Sequence, residues 1–487
     1  MGQLSFTEFA PDRLLAILPE LLLFALAVVL LILDLVWKPS RRRILGWLAA
    51  SGVALILLAT LAFSRPPADE PLVLGGMLRW DWLAFFFTVL ILFAAAITCL
   101  LSIHVDIIGN RGDYYGLLLI TSFGMVLMAS SADIIMLFLA IETTSIPLYI
   151  LAGFLKADDK STEAGLKYFL FGAVTSAVML YGFSMLYGFT GETNLYAIAD
   201  AIQAAGLSLF LVGGIAVLVL VGFSFKIAAV PFHFWTPDVY EGAPTPITAY
   251  VSTASKAAGF AVLARVMMIA FPSIDGFWAA VLAAMAVATM TLGNVLALAQ
   301  TNIKRLLAYS SIAHAGYALI GLVALSVFGV ASMMFYLLAY VITNLAAFAI
   351  VILFARAAGS EEISDYAGLS RRSPWLAMAL LVAFLSLAGM PPLAGFVAKV
   401  YVFAAAVDSG LIYLAIIGVL NSIIGLYYYL IVLKVVYLYR SEDDDKPISV
   451  PRPYAVALGV CTLLILVVGI FSGPWLDWSI GAAASLF

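Results

Sequence analysis

The stretch from residue 225 to residue 246, "FKIAAVPFHFWTPDVYEGAPTP", begins inside an apolar run yet carries a lysine, a histidine and four prolines. Proline inside a helix removes one backbone bond and clashes with the carbonyl four residues back. Lys226, five residues before Pro231, is therefore a charge placed beside a helix break. At membrane depth a break is tolerated only where the unwound backbone is enclosed by protein or lines a cavity, as at the ion sites of transporters. The segment thus predicts a bundle of membrane helices with one of them broken beside a buried charge.

The composition agrees. Hydrophobic residues make up 64% of the 487-residue chain and charged residues 11%, with a mean hydropathy of +1.11, whereas soluble globular domains carry about 25% charged residues. A soluble globule is excluded. The net charge of −4 comes with no basic patch and interleaved aromatics, which excludes nucleic acid as a partner. Cys99 and Cys461 lie far apart in apolar runs and offer neither a disulfide framework nor a metal site.

Hydrophobic spans fall at 13–37, 43–63, 81–105, 114–131, 132–155, 163–189, 207–231, 246–271, 276–299, 303–325, 328–357, 374–405, 409–439 and 454–474, which predicts about fourteen transmembrane helices in an all-α polytopic protein. The first span lacks a basic flank and a small-residue cleavage pattern, so it is expected to be a retained helix. Assigning connections alternately puts sixteen lysines and arginines on one side and four (Arg13, Arg65, Arg79 and Arg265) on the other. That bias predicts the basic side to be cytoplasmic and both termini to lie outside.

Four lysines remain, Lys226, Lys256, Lys399 and Lys434, all inside spans. An ammonium at the bilayer centre costs about 2.5–3.5 kcal/mol on insertion scales, so it marks function unless it reaches the interface. Lys434 lies about one turn from its helix end and can snorkel. The other three cannot. In "FLAIETTSIPLYIL" (138–151), Glu142 precedes Pro147 by the same five residues that separate Lys226 from Pro231, so both charges are expected at helix discontinuities. A Glu142–Lys226 pair would neutralise both and exchange a proton; a static ion pair is the alternative. In "STASKAAGF" (252–260), helical spacing puts Ser252, Ser255, Lys256 and Gly259 on one face.

The second half has parallel features. "LSLAGMPPLAGFVAK" (385–399) breaks the twelfth span at Pro391 and Pro392, two turns before Lys399. Ser310, Ser311, His314 and Tyr317 share a face in the tenth span, and Tyr336, Tyr340 and Asn344 follow at four-residue steps in the eleventh, which predicts a hydrated polar stripe. His314 is a candidate proton relay; a hydrogen-bonded structural histidine is the alternative. His233 and Lys304 are further candidates, and His104, at the end of the third span, is expected at the interface. Broken spans seven and twelve lie five helices apart, which predicts inverted five-helix repeats in spans 4–8 and 9–13. The expected organisation is residues 1–113 (helices 1–3), 114–271 and 276–439 (two antiporter-like halves) and 454–487 (helix 14). No Walker loop, dinucleotide fingerprint or cysteine cluster accompanies them, so energy for ion movement is expected from a gradient or a partner.

The segments "PFHFWTPDVYEGAPTPITAYVSTASKAAGFAVLARV", "FLAIETTSIPLYILAGF", "NIKRLLAYSSIAHAGYALIG" and "GMPPLAGFVAK" resemble, in order and over nearly the whole chain, the antiporter-like membrane subunits of bacterial proton-pumping NADH–quinone oxidoreductase, respiratory complex I. The "TPDVYEGAPTP…ASK" block favours the N type over its two larger sisters and over sodium/proton antiporter subunits. The short stretch after the fourteenth span leads us to expect no long lateral helix of the kind found in the largest sister. The resemblance implies that Glu142 and Lys226 form an input pair, Lys256 the centre of a polar axis, His314 a link between half-channels and Lys399 an output group. It further implies other membrane-arm subunits and the lipid bilayer as partners, a bacterial inner or plasma membrane location, and no cofactor in this chain, with NADH, FMN, iron–sulfur clusters and quinone in or at partner subunits. A subunit of a multisubunit sodium/proton antiporter and a non-pumping membrane scaffold are the competing readings.

Overall fold

The computed structural model describes residues 11–38 and 41–487. Its spanning elements are α1 (Leu18–Val36), α2 (Arg43–Phe63), α3 (Trp82–Ser102), α4 (Gly112–Ser130), α5 (Ile134–Ala152), α6 (Asp159–Thr190) and α7a (Leu209–Ile227). After a non-helical break comes α7b (Trp235–Gly242), followed by α8 (Thr245–Ala270), α9 (Asp275–Ala297), α10 (Ile303–Val323) and α11 (Val327–Ala358). The twelfth helix is again in two pieces, α12a (Pro374–Ala388) and α12b (Ala394–Asp408), and α13 (Ile412–Leu438) and α14 (Arg452–Ile470) complete the set. A short hairpin of β1 (Leu72–Val73) and β2 (Leu78–Arg79) follows α2.

Among the described residues, thirteen helices are long and apolar enough to cross a membrane. The remaining predicted span, the twelfth, is the α12a–α12b pair, each half 15 residues, or about 22 Å, short of the roughly 30 Å of hydrocarbon. The helices of the bundle expose large apolar side chains such as Phe210, Leu35 and Trp375, the surface a bilayer requires. α11 runs through the centre, with every residue from Gly329 to Phe354 buried.

Helix ends follow from local chemistry. Asp133 caps α5 by accepting from the amides of Ile135 and Met136, and Asn302 caps α10 by accepting from those of Lys304 and Arg305. The two longest helices, α6 and α11, each have 32 residues and each end at a left-handed glycine with φ 69°, Gly191 and Gly359. Beyond each glycine the chain pairs with the start of the preceding helix. Ile134 N donates to Thr193 O (2.9 Å) and Leu195 N to Ala132 O (2.9 Å); Ile303 N donates to Glu361 O (2.9 Å) and Ile363 N to Thr301 O (2.8 Å).

Three expectations change. The seventh span ends at Ile227, before Pro231, because Ala228 turns left-handed (φ 60°) and Ala229 N bonds back to Ser224 O at 2.8 Å. α5 is not broken: it continues through Pro147, whose missing amide would have met Thr143 O, while one turn earlier the hydroxyls of Thr144 and Ser145 bond Ala140 O (2.9 Å) and Ile141 O (2.6 Å). Arg265, counted with the outer basic residues, is 1% exposed inside α8. It makes a two-pronged pair with Asp81 at 2.6 and 2.8 Å and donates to Ala129 O at 3.0 Å, joining α8 to the start of α3 and the end of α4. The amino terminus, expected outside the cytoplasm, lies outside the described residues.

Breaking one side of a buried pair leaves an uncompensated charge, at about 3–5 kcal/mol. Arg265→Met alone is therefore expected to lower the yield of folded protein sharply, and Asp81→Asn/Arg265→Met to recover much of it. A folded-state assay in detergent that shows the two single losses simply adding refutes the pairing.

Candidate functional site

Three lysines sit at membrane depth without a carboxylate within 4.0 Å among the described residues, and each has found neutral oxygen instead. Lys226 lies in the last turn of α7a, 5% exposed, and donates to Ser145 Oγ at 2.7 Å. Glu142, one turn before Ser145 on α5, is half-buried and accepts from Ser176 Oγ of α6 at 2.7 Å. In place of the expected direct Glu142–Lys226 contact, each group meets a serine of its own, Ser145 for Lys226 and Ser176 for Glu142.

Lys256 is 2% exposed. It donates to Ser311 Oγ at 2.6 Å and to Ser311 O, and it lies 5.9 Å from the centre of the Tyr340 ring. Just before it, Val251–Ser255 form a turn of π-helix, a distortion common at functional sites and invisible to α-periodicity. The expected Ser252–Gly259 strip is consequently divided among neighbours. Ser252 bonds Ala249 O (2.8 Å) and receives Asn344 Nδ2 (2.8 Å), while Gly259 packs on α7a so closely that a Cβ there would meet Ile227 Cγ2 at 2.9 Å and Lys226 Cβ at 3.3 Å. Glycine at 259 is what brings the Lys226 and Lys256 helices together.

From Ser311 the polar row continues along α10, and here the predicted stripe is present. Tyr240 and Ser311 hydroxyls lie 3.2 Å apart; Ser310 bonds Tyr429. His314 Nδ1 is 2.6 Å from Tyr336 OH, and its Nε2 is 3.4 Å from Tyr429 OH. Asn344 donates to Tyr340 OH at 3.1 Å, and Tyr340 lies against the His314 ring at 5.1 Å between centres. A cavity of about 10 Å³ beside His314 is lined by Tyr336, Tyr340, Thr343, Ser386, Gly395 and Ala398. Lys399, 6% exposed, lies 5.0 Å from the centre of the Tyr317 ring and donates to Ala388 O at 2.9 Å. That carbonyl closes α12a, where the negative end of the helix dipole favours a cation. Gly389 (φ 89°) is needed both for the left-handed turn and because a Cβ would meet Lys399 Cδ at 2.9 Å.

The remaining candidates fall elsewhere. Lys304 is buried and fastens α7b to α10, bonding Glu241 O (2.5 Å), Ala243 O (3.1 Å) and Glu361 Oε1 (3.1 Å). His233 lies in the α7 break with its Nδ1 unpartnered, stacked on Phe234. Lys434 is exposed, 5.5 Å from the Tyr439 ring centre. Sequence reasoning missed Asp81–Arg265, whose members look interfacial because each falls near a span end, and it placed Ser311 in the polar stripe without foreseeing it as the partner of Lys256. Among the described residues no three His, Cys, Asp or Glu side chains stand together to hold a metal.

A membrane bundle with two interrupted helices and a file of buried lysines is the architecture of antiporter-like subunits. The family model described as NADH:quinone oxidoreductase/Mrp antiporter, transmembrane, matches residues 131–425, and the chain belongs to that family. It is 45% identical to NADH-quinone oxidoreductase subunit N of Moorella thermoacetica, over 96% of this chain and 98% of the relative. It is similar to a chain of respiratory complex I from Thermus thermophilus, with 35% identity, a TM-score of 0.78, and 94% of this chain and 98% of that one covered. The likeness to a chain of the Mrp complex from Dietzia sp. (TM-score 0.83, 97% of each chain covered) comes at 23% identity and concerns the fold alone.

A hydrogen bond to a charged group is worth about 1.5–3 kcal/mol. Ser145→Ala is expected to cost about that much in unfolding free energy and Ser145→Thr distinctly less, measured by detergent-induced unfolding; an unchanged Ser145→Ala protein would show that the Lys226–Ser145 bond contributes nothing to stability.

Proposed function

We propose that this chain is the antiporter-like, proton-translocating membrane subunit of a bacterial NADH–quinone oxidoreductase. The observation that carries the proposal is the file from Ser145 and Lys226 through Lys256, Ser311 and His314 to Lys399, in which each amine faces neutral oxygen and no fixed anion. An ammonium held by a serine or a carbonyl can give up its proton without breaking an ion pair. In this reading Glu142 and Lys226 form the input, Lys256 the central store, His314 and the tyrosines around it the link, and Lys399 the output. Moving one charge against 100 mV costs about 2.3 kcal/mol, and a charge change at Glu142 acting on Lys226 in low dielectric is an adequate lever.

The relatives' names support this assignment over the sodium/proton antiporter. We further propose that residues 114–271 and 276–439 are the two inverted halves, supported by the matching end-pairings of α5–α6 and α10–α11. The basic face is then cytoplasmic and both termini lie outside. Glu142 is half-buried on a flank where Leu139, Ile146 and Val174 are exposed; a carboxylate at that depth calls for cover, which a neighbouring membrane-arm subunit supplies. NADH, FMN, iron–sulfur clusters and quinone belong to partner subunits.

Lys256→Ala is expected to leave the complex assembled while abolishing most NADH-driven proton pumping in closed vesicles; normal pumping by the assembled variant would take Lys256 off the path. Lys399→Arg keeps the positive charge, but a guanidinium stays protonated at any accessible pH. It is expected to impair pumping about as much as Lys399→Ala, with Lys399→His retaining part of the activity. Wild-type pumping by Lys399→Arg would reduce Lys399 to a fixed charge.

A further inference from the structure

A second acidic site lies apart from this file. Glu20 stands in the first turn of α1, 4% exposed, and its Oε2 is buried without a hydrogen-bond partner. It lines a cavity of about 20 Å³ with Thr60 and Ser64 of α2, Thr88 of α3 and Ser130 of α4, closed by Arg79 and Trp80 at the end of the hairpin. That volume has room for one water molecule. Arg79 Nε is also buried and unpartnered. Glu20 Oε2 and Arg79 Nε thus have no hydrogen-bond partner although their residues line one polar cavity and buried polar groups are normally bonded; the Arg79 guanidinium carbon lies 5.1 Å from the centre of the Tyr196 ring.

Arg79 is the one charged side chain, other than Glu20, among the described residues lining the cavity. Asp81, two residues beyond Arg79 at the cap of α3, and Arg265 of α8 are committed to each other. The cavity lies beneath the β1–β2 hairpin, at the end of the bundle opposite the Lys304 cluster.

We propose that Glu20 is a proton-exchange residue serving the face opposite the basic one. As the acid, Glu20 needs no cation. On passing its proton to a water in the cavity it becomes a carboxylate facing Arg79, and the hydronium leaves past the hairpin; the reverse transfer restores the acid. The proposal rests on the reading of the chain as a proton carrier but uses none of the residues of the Lys226–Lys399 file.

The test uses the assembled oxidoreductase in closed vesicles, with Glu20→Gln, Glu20→Asp and Arg79→Gln. Glu20→Gln is expected to lower protons pumped per NADH by at least a third while uncoupled NADH oxidation stays normal, and Glu20→Asp to restore most of the ratio. In infrared difference spectra across a pH titration, a protonated-carboxyl band should be absent from Glu20→Gln, and in Arg79→Gln it should persist to pH values at least one unit higher. A wild-type pumping ratio in Glu20→Gln, or a carboxyl band that it leaves intact, overturns the proposal. Should Glu20→Gln fail to assemble, an Arg79→Gln complex with an unshifted band overturns it equally. Lys256→Ala, run alongside, separates the cases: if it abolishes pumping while Glu20→Gln does not, only Glu20 is lost; if it too pumps normally, the function proposed above falls.

Discussion

An ammonium carries three N–H donors and no acceptor, and hydrocarbon offers it nothing. Every lysine placed at membrane depth in this chain must therefore find oxygen that the helices have not already used. Regular helices engage their own carbonyls, so acceptors come from side-chain hydroxyls, from places where the helix stops, or, at Ser311, from the second lone pair of a carbonyl inside α10. Lys226 takes the hydroxyl of Ser145, Lys256 takes both oxygens of Ser311, and Lys399 takes the carbonyl that ends α12a. The interruption of the twelfth helix is thus the source of a ligand for the lysine that follows it. Gly389 follows from the same need, since a Cβ there would meet Lys399 Cδ at 2.9 Å, while Gly259 lets α8 close on Ile227, the neighbour of Lys226, where a Cβ would meet Ile227 Cγ2 at 2.9 Å.

Charges near the basic face obey another rule. Lys160, Lys167, Lys304 and Arg305 are matched with Glu163, Asp238, Glu241 and Glu361 in a network that fixes α7b against α6 and α10. Ion pairs anchor the rim, while neutral partners hold the charges in the middle. A paired lysine there would be locked in its charged form; a lysine held by hydroxyl and carbonyl groups keeps the choice.

Much of this was legible in the chain itself. Spans, breaks at Pro231 and Pro391–Pro392, and the three deep lysines follow from hydropathy and proline chemistry, which act locally. The continuity of α5 through Pro147 was not, because the packing of α5 against α4 and α6, which local proline chemistry does not reveal, holds the helix together past the lost bond. Nor was the Asp81–Arg265 pair, whose members are 184 positions apart and each close to a span end, where a charge ordinarily meets water. The π-turn before Lys256 leaves no mark in a pattern of small residues that suits either winding. The split Glu142–Lys226 contact shows the same limit: spacing placed both groups at the right depth, but rotation of α5 about its axis decides which side chain meets the lysine.

The pairings that close α5–α6 and α10–α11 use only main-chain N–H and C=O groups. Any residue except proline can donate there, and any residue can accept. Substitutions can accumulate through both segments without loosening these joints, so a resemblance between the two halves proposed above would survive in the course of the backbone long after it had faded from the order of side chains. An ancestral duplication in such a protein would be recorded in hydrogen bonds and not in letters.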